Sequence, residues 1–210
     1  MGCKVTAVEV GANMAEFLAE RFKGNKNFSV IVSAFEDALL EDESYDLIYA
    51  AAAFHWVDAE VGGPKVLRLL KSGGTFALFR YNEIPAAGEE LYEEIQAVYE
   101  RHYYSYYTSN KRPVKKSNEE FWKPSGILRA YGFRDLKEYG FSDISTKLYN
   151  VTRIFSADDY ITFRDTLADH RGLPDDKRME LYTGISEAIM KHGGRHKVDY
   201  VFQSYMGKKL

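Results

Sequence analysis

Cysteine occurs once in the 210 residues, at Cys3, which excludes an internal disulfide and any cysteine-rich zinc site and makes a reducing cytoplasm the fitting home. Long hydrophobic runs are missing too. Nothing approaches the roughly 20 apolar residues that span a bilayer, and no signal peptide is legible. A large excess of one sign of charge is missing, and a net charge of -3 gives no overall reason to bind nucleic acid or an anionic membrane. The five histidines are scattered, with no His-x-x-His pair beside cysteine or clustered acids, so no metal site is expected. Internal repeats, low-complexity tracts and linker-like stretches are absent, which argues against a second independent domain. What is present is ordinary for a soluble globular chain: 45% hydrophobic, 28% charged, and enough length for one domain with a proper core. Aromatic content is the exception, at 15% with 16 tyrosines. The opening Met1-Gly2-Cys3-Lys4-Val5-Thr6 formally fits a myristoylation pattern, but that pattern is loose and residues 5–10 read better as a buried strand.

The chain alternates strand-like and helix-like segments. Residues 5–10 are a β-rich run ending in Gly11. A helix over 13–22 follows, with Asn13 as its N-cap and Met14, Phe17, Leu18 and Phe22 on one face. Residues 28–32 form a second strand. Residues 45–51 form a third, whose unbroken apolar character suits burial on both faces. A helix over 59–70 stops at Lys71-Ser72-Gly73-Gly74, where glycine supplies a left-handed cap, and 75–79 form a fourth strand. Such alternation predicts an α/β fold, a mostly parallel sheet with right-handed crossovers. From about residue 81 the rhythm changes to a charged amphipathic helix over 89–104, a basic irregular stretch over 109–117, Phe121-Trp122 and a short helix near 127–131. This segment is read as a helical cap inserted at about 82–140 of a single 1–210 domain. Strands at 141–151 and 200–206 flank a helical block over 157–191, broken at Gly172-Leu173-Pro174.

Three places carry candidate chemistry. In open parallel sheets, ligands sit beyond the carboxyl ends of the strands, and Glu9 lies at such an end. A carboxylate there accepts from both hydroxyls of a ribose, as in NAD, FAD and nucleotide sites; equally, it suits the dipole of a helix start. Ala34-Phe35-Glu36-Asp37 follows the second strand, either flanking an adenine with an aromatic and an acid or forming an ordinary loop with one buried Phe. Ala53-Phe54-His55-Trp56-Val57-Asp58 ends the third strand. Its His and Trp would wall a cleft mouth, though a lone His is more often structural than catalytic.

In order and spacing, these segments together with Tyr45-Asp46-Leu47-Ile48 and Leu69-Leu70-Lys71-Ser72-Gly73-Gly74 resemble the class I S-adenosylmethionine-dependent methyltransferases. The Ala53 to Asp58 run is most similar to the small-molecule branch that includes trans-aconitate methyltransferase. So is the part from Tyr160 through Leu173-Pro174 and Gly193-Gly194 to the Tyr200 strand. The resemblance implies a Rossmann-like sheet with helices on both faces, an antiparallel C-terminal strand and S-adenosylmethionine as cofactor. It implies Glu9 on the ribose, Val10 on the adenine face, Phe35 and Glu36 at the adenine edge, and Ala53 and Phe54 at the methionine and methyl-transfer end. His55 is the candidate general base for an acceptor that must lose a proton. Trp56, Tyr81, Tyr103 and Trp122 are candidates for the pocket of a small-molecule acceptor, or pack the cap. A carboxylate acceptor would suit Lys111, Arg112, Arg129 or Arg164.

One departure from the resemblance is large. The family's first strand and its Gly-x-Gly-x-Gly loop are not in the sequence, whose first residue falls after them. The missing strand would pair between the Val5 and Tyr45 strands. Without it, two edges stay unpaired, come together, or recruit another chain, as in a homodimer. The sequence is then a shortened or partial one, a cofactor-poor relative, or a chain completed by a partner. The corresponding functions are methyl transfer to a small molecule or a non-catalytic methyltransferase-like role. An NAD(P)-dependent Rossmann oxidoreductase uses Glu9 equally well but leaves the Ala53 to Asp58 run unexplained.

Overall fold

Short runs rich in valine, isoleucine and threonine become the first two strands, because β-branched side chains favour extended backbone. The computed structural model describes residues 2–117, 120 and 135–210. β1 (Val5–Glu9) and β2 (Phe28–Val32) are parallel, in register from Val5 opposite Phe28 to Glu9 opposite Val32. Between them runs α1 (Ala12–Arg21), which returns to β2 through a Phe22–Phe28 stack at 4.3 Å. The helix starts one residue before the expected Asn13 cap. Gly11, not Asn13, is the N-cap, without a side-chain cap bond, and its own N–H donates to Glu9 Oε1 at 2.7 Å.

β3 (Tyr45–Ala51) leads through a single tight turn, Phe54–Trp56, into α2 (Ala59–Leu69), whose N-cap is Asp58, its side chain accepting from Glu60 N–H at 2.9 Å. β4 (Leu70–Ile84) runs parallel to β3, with Leu47 opposite Thr75 through Ala51 opposite Phe79. The Tyr45–Leu70 pair precedes a register shift that takes up Lys71 to Gly74, where Gly73 has φ +78°. Gly63 of α2 is another place where only glycine fits, because an added Cβ would lie 2.5 Å from the Tyr139 ring.

β5 (Phe141–Ser156) and β6 (Arg195–Lys209) complete a four-stranded sheet in the order β3-β4-β6-β5. Ser142 bonds the Lys208 carbonyl while Thr152 bonds Asp199, so rising numbers on β5 meet falling numbers on β6 and the pair is antiparallel. The same logic holds for β6 and β4: Lys209 reaches the Leu70 carbonyl at 2.7 Å, and Tyr200 packs on Tyr81. The Rossmann-like α/β sheet with an antiparallel C-terminal strand is therefore as expected. Both final strands are longer than the 141–151 and 200–206 read from sequence; in β6 the added ends are charged, with Arg195, Lys197, Asp199, Lys208 and Lys209.

The chain divides into two compact units, among the described residues 2–80, 135–147 and 203–210, and 81–117, 120 and 148–202. The first has a core of Phe54, Val66, Leu70, Phe76, Leu78, Leu136, Phe141 and Tyr205. In it, β1 and β3 are not joined: β1 pairs with β2 and β3 with β4, and Leu47 and Tyr49 on β3 are 54% and 59% exposed. The two edges therefore do not come together within the described residues. The second unit packs α3 (Glu90–Tyr99), its π-turn continuation Glu100–Tyr104, α4 (Ala157–Arg164), α5 (Ala168–Arg171) and α6 (Asp175–Lys191). Ile95, Val98, Tyr99, Tyr160, Leu181, Ile185 and Ile189 form its interior. No helix among the described residues is long and apolar enough to cross a membrane.

Candidate functional site

Hydrogen bonds and ring contacts in the first unit draw the carboxyl ends of β1, β2 and β3 together. Ser33 N–H donates to the Glu9 carbonyl at 3.1 Å, tying the β1 end to the β2 end. Phe35 packs on Phe54 with ring centroids 6.0 Å apart, tying the β2 loop to the β3 end. Glu36 Oε1 accepts from Asp58 N–H at 2.7 Å, fixing the same loop to the start of α2. Glu9, Phe35, Glu36, Ala53, Phe54 and His55 thus belong to one cluster of strand ends.

Their individual surroundings differ. Glu9 is half-buried, with one oxygen held by Gly11 N–H. Val10 is 74% exposed and presents an apolar face beside it. Phe54 is 6% exposed and lies in the core, 5.1 Å from Phe76 edge-on, so its side chain packs the unit rather than facing solvent. Ala53 and His55 are exposed, and Trp56, 78% exposed, lies 5.1 Å from the His55 ring. Loss of some hydration to neighbouring atoms, and secondarily the charge of Arg80, hold His55 below its ordinary value, so it is neutral near pH 7 and able to accept a proton.

Tyr81 and Tyr103 belong to the second unit, and Trp122 and Arg129 lie outside the described residues. Tyr81 packs against Tyr200 and Phe202, each at 5.7 Å. Tyr103 donates to Asp169 at 2.5 Å and accepts from Asn110 at 3.0 Å, within a buried network in which His170 bridges Asp169 and Tyr99. Arg164 is paired with Glu83 at 2.5 Å and Arg112 with Glu93 at 2.5 Å.

Two features escaped the sequence reading. Ala52, at the end of β3, has φ +50°, a left-handed conformation costly for a residue with a Cβ, and its N–H bonds the Phe79 carbonyl at 2.8 Å. Lys65 on α2 is 8% exposed, and its ammonium donates to the carbonyls of Glu36 at 2.9 Å and Ala38 at 2.6 Å. A lysine in an amphipathic helix reads as solvated; nothing local marks it as buried. An open groove of about 460 Å³ borders this loop, lined by residues 36–40 with Lys65 and Arg68.

A family model described as a methyltransferase domain matches residues 1–78. The chain is 22% identical over 202 residues to a Dictyostelium discoideum protein named as a methyltransferase, covering 94% of this chain and 72% of that one. It is 23% identical over 191 residues to an uncharacterized methyltransferase of Schizosaccharomyces pombe, covering 89% and 64%. A solved structure described as a type II methyltransferase from Anaeromyxobacter dehalogenans matches with a TM-score of 0.60 at 19% identity, over 99% of this chain and 81% of that one. The fold is the Rossmann-like α/β fold of these methyltransferases.

Proposed function

We propose that the chain serves S-adenosylmethionine-dependent methyl transfer to a small-molecule acceptor. The observation that carries this reading is the contact chain Glu9–Ser33, Phe35–Phe54 and Glu36–Asp58, which gathers an acid, an aromatic and a histidine at adjoining strand ends. The donor set fits the cofactor: a carboxylate for ribose hydroxyls at Glu9, an exposed apolar side chain at Val10, and Phe35 with Glu36 for the adenine. When bound, the cofactor supplies an electrophilic methyl group on sulfonium sulfur. The protein's part is then mostly to hold the acceptor in line, which accounts for most of the acceleration in such displacements. Where the acceptor must lose a proton, neutral His55 takes it at a ring nitrogen. Arg164 and Arg112 are engaged by Glu83 and Glu93, so the reading does not commit to a carboxylate acceptor.

Calorimetric titration of the 210-residue chain with S-adenosylhomocysteine tests the proposal. Saturable heat is expected, and no heat near 1 mM, the weak-binding limit, would sink it. A second reading, a methyltransferase-like chain completed by pairing with a second copy, draws on the exposed β3 residues Leu47 and Tyr49. Sedimentation equilibrium decides it: a concentration-independent monomer mass removes that reading.

A further inference from the structure

We propose that Lys65 is a positioning residue for nucleobase recognition. It fixes the turn formed by residues 34–38 so that Phe35 and Glu36 distinguish an adenine from its deaminated counterpart. The inference rests on the cofactor reading above and goes beyond it by assigning base selectivity to a residue that touches no ligand.

The turn is one helical winding, in which Asp37 N–H and Ala38 N–H both donate to the Ala34 carbonyl, at 3.2 and 3.0 Å. A single winding leaves its own later carbonyls without helical partners. Lys65 supplies them, one ammonium bonding Glu36 O and Ala38 O together from the middle of α2. The same ammonium lies 5.3 Å from the Phe35 ring centroid, so the aromatic is held by a cation as well as by Phe54. Glu36 is fixed at the other end of α2 through Asp58 N–H. Two ties to one rigid helix therefore orient the aromatic and the carboxylate at once. A carboxylate accepts from the exocyclic amino group of adenine, and it repels the carbonyl oxygen that replaces that group in hypoxanthine. Selectivity of this kind depends on a donor or acceptor held in place rather than on contact area. Burying an ammonium against neutral carbonyls is costly, which makes a purely solvating role for this lysine a poor account of its place.

Affinities of the wild-type chain and Lys65→Met for S-adenosylhomocysteine and S-inosylhomocysteine, measured by calorimetry, test the inference. Methionine keeps the apolar stem and removes the ammonium. The wild type is expected to favour the adenosyl ligand at least tenfold. Lys65→Met is expected to lose about tenfold or more for the adenosyl ligand and less than threefold for the inosyl ligand, collapsing the ratio. Equal loss for both ligands, or no loss, reduces Lys65 to a structural tie and overturns the inference. A wild type that binds neither ligand removes the cofactor reading and this inference with it. If Lys65→Met fails to fold, Lys65→Leu, which likewise removes every donor while keeping an apolar stem, is read against the same criterion.

Discussion

Replacing Glu9 separates a ligand-binding role from a structural one. In the folded chain its Oε1 accepts from Gly11 N–H at 2.7 Å, at the start of α1. Glu9→Ala leaves that N–H to water, a loss comparable to an N-cap deletion, about 0.5–2 kcal/mol. In a chain of this size, such a loss lowers Tm by about 1–8 °C. Against a bound ribose the cost is larger. Two hydroxyls donating to a carboxylate contribute roughly 1.5–3 kcal/mol each, so affinity for S-adenosylhomocysteine should fall by about 10²–10⁴-fold. Glu9→Gln keeps an acceptor for Gly11 N–H but loses the charge, so Tm should barely move while affinity falls by about tenfold. Calorimetric titration beside thermal unfolding, on both variants, gives the two quantities independently. Equal free-energy loss in affinity and stability, or an affinity change below threefold, would refute the ribose assignment and leave Glu9 as a helix-start acid.

Phe54→Ala should act on stability, costing about 3–5 kcal/mol and lowering Tm by roughly 6–20 °C, because the ring sits between Phe35 and Phe76 in the core. Lost cofactor binding with an unchanged melt would instead make Phe54 a ligand contact. Glu83→Gln should destabilise by about 3–5 kcal/mol in urea unfolding, since it strips the carboxylate from the buried Arg164 guanidinium; a change under 1 kcal/mol would refute that pairing. His196 is held down to about 4 in the fold, first by burial and then by Arg164. Between pH 6.5 and about 4 the unfolded chain binds the extra proton, so stability falls as pH falls through that window and levels below it. The loss is at most about 3 kcal/mol. His196→Gln should flatten it in unfolding curves taken across that range, and an undiminished slope would assign the titration elsewhere.

The parallel α/β frame was legible because its signals are local. The runs at Val5 and Tyr45 and the Gly73 turn each declare themselves within a few residues. Glu9, Phe35, Glu36 and His55 were legible as candidates because strand ends are where such sheets take ligands. Tertiary facts were not. Nothing near Lys65 shows that its ammonium is buried against a loop 27 and 29 residues away. Arg164 reads as a solvated helix residue until Glu83, 81 residues earlier in sequence, closes on it. Phe54 shares its segment with the exposed Ala53 and His55, yet the tight turn at Phe54–Trp56 sends its ring into the core. The π turn at Glu100–Tyr104 likewise interrupts a helical period that sequence alone continues.

Order along the chain and order across the sheet disagree at β6. The strand is last in sequence among the four, yet lies between β4 and β5, with Val198, Tyr200, Val201, Gln203, Ser204 and Tyr205 all buried. During synthesis β5 is finished before the strand that joins it to β4 exists. About 40 residues separate Ser156 from Arg195, an interval of roughly 2–8 s at ordinary translation rates. Through that interval the edges of β4 and β5 that β6 covers in the folded chain lack their partner. Between the completion of β5 and the arrival of β6 the emerging chain therefore carries strand edges open to mispairing.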